Sequence, residues 1–100
     1  MKVMIFLGSE SDAGTIEDAL KVLKDFGVPF GIEVTSAHRS PERTLRLVKS
    51  SEDAGAEVFI AVAGKAAHLA GVVAAHTLKP VIGVPAVSYT HLTLPTNREV

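Results

Sequence analysis

Four short stretches hold most of the side chains in this sequence that could do chemistry. Gly8-Ser9-Glu10-Ser11-Asp12 sets hydroxyls and carboxylates beside a glycine. If a helix starts there, its free backbone N–H groups join them, and the loop suits a phosphate or the hydroxyls of a ribose. Capping of that helix by Ser11 or Asp12 uses the same residues and is the plainer alternative. The stretch lacks the Gly-Lys-Ser/Thr ending of a Walker loop and the Gly-x-Gly-x-x-Gly of a dinucleotide turn, which disfavours a nucleoside triphosphate or NAD.

Ser36-Ala37-His38-Arg39-Ser40-Pro41 is more informative. An imidazole can take and give a proton near neutrality, and a guanidinium forks onto a phosphate or carboxylate, so His38 beside Arg39 reads as proton transfer next to an anion site. A loop histidine and a surface cation fit the same spacing. The third stretch, Gly64-Lys65-Ala66-Ala67-His68, offers His68 either to a site or to the core as a packing histidine. His76 and Lys79 read as residues that complement a helix terminus or face solvent. No histidine spacing matches a zinc motif, so no metal is expected.

These stretches have chemical meaning only if something brings them together. Val3 to Leu7 is a continuous apolar run ending at Gly8, the pattern of a strand buried on both faces of a parallel sheet. A helix follows, with Ile16, Ala19, Leu20 and Leu23 at helical spacing, Asp12, Glu17 and Asp18 early, and Lys21 and Lys24 late. Gly27 ends it, and Pro29 to Val34 is the second strand. Ser40-Pro41 opens the second helix and Gly55 closes it. Val58 to Ala63 is the third strand, Ala66 to Thr77 the third helix, and Val81 to Val84 the fourth strand. Strands separated by single helices demand right-handed crossovers and a parallel sheet, so the expected fold is a flavodoxin-like or Rossmann-like three-layer α/β/α structure. In such sheets ligands bind outside the carboxyl ends of the strands, where the three stretches and Gly83-Val84-Pro85 fall. The third helix has almost no polar face, which calls for cover all round, by a neighbouring subunit or by further chain.

Composition narrows the partners. With 100 residues, 47% apolar and 21% charged, the chain describes one small domain. Ten basic residues against eleven acidic ones leave no polybasic face, so neither nucleic acid nor an anionic membrane is an expected partner. No apolar run approaches the roughly 20 residues of a membrane span, and the start shows no signal-peptide pattern, so a cytoplasmic location is expected. The absence of cysteine removes disulfides and thiolate chemistry. From Val87 the character changes: residues 87–100 continue no βα unit and hold the only tyrosine. Val87 to Thr96 can be back-translated to a sequence that looks like a transposon-end adapter. The expectation is therefore a partial domain over 1–86 and a non-native tail over 87–100.

The loops also carry a resemblance. Gly8-Ser9-Glu10-Ser11-Asp12, Ser36 to Pro41, Ala63 to Gly71 and Pro80 to Pro85 are similar to the signature loops of the N5-carboxyaminoimidazole ribonucleotide mutase family of purine biosynthesis. Each match is loose alone; four in order at successive strand ends are specific. The resemblance implies an octameric, flavodoxin-like enzyme whose substrate is a small phosphorylated ribonucleotide. It would move a carboxylate from an exocyclic nitrogen to an imidazole ring carbon without metal, ATP or biotin. Carried over by motif position, His38 is the proton carrier, Ser9 and Asp12 bind the ribose and phosphate part, and Arg39 binds the phosphate or carboxylate. Ser11 and Ser36 belong to the same substrate-binding loops, and Gly64 with its turn walls a carbon dioxide pocket near His68. Lys65 stands where many members have glycine, and Ala70 where proline is common. The sister activity, carboxylation of aminoimidazole ribonucleotide by free carbon dioxide, is the nearest rival; Ala66-Ala67-His68-Leu69 looks like the mutase group. A receiver-type module would need an acidic cluster at the end of strand one, where Gly8-Ser9 stands. An inactive flavodoxin-like fragment is the remaining alternative.

Overall fold

A computed structural model describes residues 1–64 and 66–86. The boundary expected at 86/87, the tail beyond it and Lys65 lie outside the described residues. Within them, four strands form one parallel sheet: β1 (Val3–Leu7), β2 (Phe30–Val34), β3 (Val58–Ala63) and β4 (Val81–Pro85), in the order β2-β1-β3-β4. Three helices connect them, α1 (Glu17–Asp25), α2 (Pro41–Asp53) and α3 (Ala66–Ala74). This is the flavodoxin-like α/β arrangement that the alternation of elements predicts.

The two central strands explain their own apolar runs. Every residue of β1 is buried, because it pairs with β2 on one edge and β3 on the other and carries packing on both faces. On one face Met4, Phe6, Phe59 and Ala61 meet Val48 of α2 and Leu69 and Val73 of α3. Phe6 and Phe59 stack with ring centroids 5.7 Å apart. On the other face Val3, Ile5, Leu7 and Val62 pack under Ile16, Leu20 and Leu23. The parallel register aligns Leu7 with Val34 and with Val62, so β1, β2 and β3 run out together and deliver their following loops to one edge.

Two helix boundaries differ from the sequence reading. The first helix does not run continuously from Asp12: Glu10–Ile16 is a 3-10 segment, and the α-helix begins at Glu17. The Asp12 carboxylate turns back to accept the Ser9 N–H at 3.0 Å, and the Asp12 N–H donates to the Ser9 carbonyl at 3.0 Å, which tightens the first turn. Gly14, a poor helix former, lies within the same 3-10 segment. The third helix stops at Ala74 rather than Thr77. His76 closes a tighter turn onto the Val73 carbonyl, and the Thr77 hydroxyl donates to the Glu52 carboxylate of α2, which draws the chain out of the helical path.

The cover expected around α3 is not supplied by the described residues. Leu69 and Val73 are buried, whereas Gly71, Ala74 and Ala75 are exposed, so one small-residue face is open. Among the described residues no helix is long and apolar enough to cross a membrane.

Candidate active site

The close approach of the first loop to β3 starts the site. The Gly8 N–H donates to the Val62 carbonyl at 2.8 Å, and a Cβ on Gly8 would stand 2.9 Å from the Ala63 Cβ. Only glycine lets the backbone leave β1 this close to β3. Ser9 and Asp12 are thereby brought beside Ala63 and Gly64, and all four line one cleft of about 340 Å³. Its opposite wall comes from the loop after β2, through Ser36, Ala37 and His38. His68 and Leu69 of α3 complete it.

The loop after β2 is held by its own hydrogen bonds. The Arg39 N–H donates to Ser36 Oγ at 3.2 Å, and the Ser40 N–H to the Ser36 carbonyl at 2.9 Å. Behind the loop, Thr35 and Thr44 are buried and their hydroxyls are 2.8 Å apart, while Thr44 Oγ1 also donates to the Ser40 carbonyl at 3.2 Å. Pro41 at the first turn of α2 then sets the helix direction. His38 and Arg39 are thus the exposed tip of a loop clamped at both ends.

Two histidines meet across the cleft. The rings of His38 and His68 stack with centroids 4.0 Å apart and planes 15° from parallel. His68 is exposed, so the packing-histidine alternative is overturned: its ring lies against His38 at the mouth of the cleft instead of in the core. Stacking restricts the orientation of the His38 imidazole.

A second cleft of about 350 Å³ adjoins the first and shares Gly8, Ser9 and Ser36 with it. Arg39, Ser40, Arg43 and Glu10 give it a different character, polar and cationic. Of the residues singled out in the sequence, Ser9, Asp12, Ser36, His38, Gly64 and His68 line the first cleft and Arg39 the second. Ser11 lines neither; its hydroxyl is 2.8 Å from that of Ser9 and serves the loop. The capping expected of Ser11 or Asp12 falls to Ser9, the N-cap residue, while Asp12 three positions on accepts the Ser9 N–H and also walls the cleft. The Gly83-Val84-Pro85 stretch stays out of both linings, while the Ala86 N–H donates to the Ala63 carbonyl at 2.9 Å. Sequence reasoning missed Arg43, which sits inside a helix and carries no motif signal, and the apolar walls Ala37, Ala63 and Leu69. Among the described residues no group of three histidine, aspartate or glutamate side chains is gathered as a metal site.

Comparison with known proteins decides the family. The model of the family described as "AIR carboxylase" matches residues 2–94. This chain belongs to the AIR carboxylase family. It is 55% identical over 83 residues to the N5-carboxyaminoimidazole ribonucleotide mutase of Methanocaldococcus jannaschii, covering 83% of this chain and 51% of that protein. It is 51% identical over 83 residues to the protein of the same name from Pyrococcus horikoshii, covering 83% of this chain and 47% of the relative. The chain therefore spans about half the length of these curated relatives. The crystal structure of Treponema denticola PurE superposes with a TM-score of 0.77 at 30% identity, over 98% of this chain and 70% of that one. The resemblance to the N5-carboxyaminoimidazole ribonucleotide mutase family read from the four loops is thus borne out by these relatives and by the fold.

Proposed function

We propose that the paired clefts form an N5-carboxyaminoimidazole ribonucleotide mutase site. The observation that carries this reading is the His38 and His68 stack at the mouth of a small-walled cleft that opens into a second cleft lined by Arg39. A proton carrier, room beside it for a small released molecule, and an anion site are three things a metal-free carboxylate migration needs.

In the proposed reaction the imidazole ring lies in the first cleft beside His38, the ribose over Ser9 and Asp12, and the phosphate toward Arg39. As the bond between the exocyclic nitrogen and the carboxylate carbon breaks, His38 gives that nitrogen a proton and carbon dioxide is released. The ring carbon then attacks the carbon dioxide and forms a carbon–carbon bond. His38 takes the proton from that ring carbon, which restores both the aromatic ring and the enzyme. One proton has moved from carbon to nitrogen and one carboxylate the other way. Ala37, Ala63 and Gly64 leave space beside the ring in which the released carbon dioxide can stay within reach of the ring carbon. Charge stabilisation comes from protein groups alone, with no cofactor in any step.

The exposed small-residue face of α3 supports assembly of the full-length protein into the octamer implied by the family, in a cytoplasmic setting suited to a small ribonucleotide. Sedimentation of the purified chain measures the first of these; a strictly monomeric species argues against α3 as a contact. The catalytic reading is tested by supplying unlabelled carbamate substrate together with labelled bicarbonate. Product formed without label supports the mutase. Label incorporated efficiently from bicarbonate and aminoimidazole ribonucleotide supports the carboxylase activity instead, and absence of both sinks catalysis by this chain.

A further inference from the structure

Arg43 lies in the first turn of α2 and is not part of the loop that carries His38 and Arg39, yet its side chain lines the second cleft together with Arg39, Ser9, Ser36 and Ser40. Its guanidinium is tethered: Nη2 donates to the Val34 carbonyl at 3.0 Å, at the carboxyl end of β2. The same nitrogen lies 3.3 Å from Glu33 Oε1. Among the described residues both bonds of Arg43 use Nη2, which leaves Nη1 and Nε to face a ligand. The Glu33 pair is 42% and 46% exposed, so it is screened and weak and does not neutralise the guanidinium. Arg39, for its part, has no carboxylate within ion-pair distance among the described residues.

We infer that Arg43 is a specificity-determining residue, a second cationic contact that favours a ligand ending in a phosphate group over its unphosphorylated counterpart. Two guanidinium groups and one carboxylate, Glu10, line the cleft, an excess of one positive charge. The planar fork of Arg43, held at one corner by the Val34 carbonyl, offers its remaining edge in a fixed orientation, and a pre-oriented fork loses little freedom on binding an oxyanion. Shared lining by Gly8, Ser9 and Ser36 makes the two clefts continuous. A ligand with its ring against His38 therefore extends its far end between Arg39 and Arg43. The inference rests on the ribonucleotide reading above and adds a residue to it.

The test is titration of the 100-residue chain with ribose 5-phosphate and with ribose, followed by amide chemical shifts at low ionic strength. Arg43→Gln is expected to weaken ribose 5-phosphate about tenfold and leave ribose unchanged, the effect of losing one charged hydrogen-bonding partner at a half-exposed site. Arg43→Lys keeps the charge without the fork and should fall between. Glu33→Gln removes the competing carboxylate, leaves the Val34 tether in place, and should tighten ribose 5-phosphate about twofold. Unchanged affinity in Arg43→Gln while Arg39→Gln weakens binding overturns the role of Arg43 and leaves the ribonucleotide reading standing. Equal loss of ribose and ribose 5-phosphate in Arg43→Gln assigns the residue to loop structure and also overturns it. A wild-type chain that binds both ligands equally overturns the phosphate cleft itself.

Discussion

The buried hydroxyl pair behind the His38 loop makes a sharp energetic prediction. Thr35 and Thr44 are 2% and 0% exposed, with their hydroxyls 2.8 Å apart, and Thr44 Oγ1 is 3.2 Å from the Ser40 carbonyl. The geometry fits one chain of donors, from Thr35 to Thr44 to the carbonyl. Thr44→Val keeps the shape but leaves the Thr35 hydroxyl in the core without its acceptor, which costs about 1–3 kcal/mol. Thr35→Val leaves Thr44 still donating to Ser40 and should cost no more than about 1 kcal/mol. In the double variant no buried hydroxyl is stranded, and the Ser40 carbonyl still accepts the Thr44 N–H at 3.1 Å. Its stability should lie within about 1 kcal/mol of the starting protein, because removing both partners is close to neutral where removing one is not. Urea unfolding followed by circular dichroism measures all four proteins and closes the cycle. A double variant whose loss equals the sum of the two single losses would show that the hydroxyls do not interact, and the account of what clamps this loop would be wrong.

Other consequences are as direct. Gly8→Ala places a methyl 2.9 Å from the Ala63 Cβ and should destabilise by about 1–3 kcal/mol, with partial recovery in Gly8→Ala/Ala63→Gly; thermal unfolding reads both. Phe59→Ala empties a fully buried ring position against Phe6 and should cost about 3–5 kcal/mol, a large part of a small domain's stability, read as a lower urea midpoint by circular dichroism. His38→Asn should abolish mutase turnover while leaving ribose 5-phosphate affinity within about twofold, because the ring faces the first cleft and not the guanidinium groups; near-normal turnover removes His38 from the mechanism. His68→Ala should lower turnover less than His38→Asn, since it removes the stacking surface and keeps the proton carrier.

Much of this fold is legible because β1 and β3 are buried on both faces, and such strands write themselves as unbroken apolar runs. The edge strands are less clear: Ile32, Val34 and Ile82 remain partly exposed, and only the rhythm of the intervening helices places β2 and β4. The start of α1 was not legible, since the tight turn depends on a three-residue side-chain return from Asp12 to Ser9 that periodicity does not encode. The end of α3 depends on a contact between Thr77 and Glu52, twenty-five positions apart.

The site divides in the same way. A parallel sheet sends every strand's carboxyl end to one edge, so naming the strands is enough to predict that Ser9, Ser36, His38 and Gly64 converge. It does not predict how they face one another. The stacking of His68 on His38 depends on where α3 sits over the sheet, and that placement turns on small residues: Ala70 lies against Gly83, where a Cβ would stand only 3.2 Å away. Arg43 escapes notice for a different reason, because a basic residue in an amphipathic helix is indistinguishable in sequence from a solvated one until a backbone carbonyl is found holding it. The chemistry of the cleft is thus set jointly by loops that carry motifs and by glycines and alanines that carry none. Gly8 and Gly83 bring the loops within reach, and Ala37 and Ala63 leave the space that makes the first cleft.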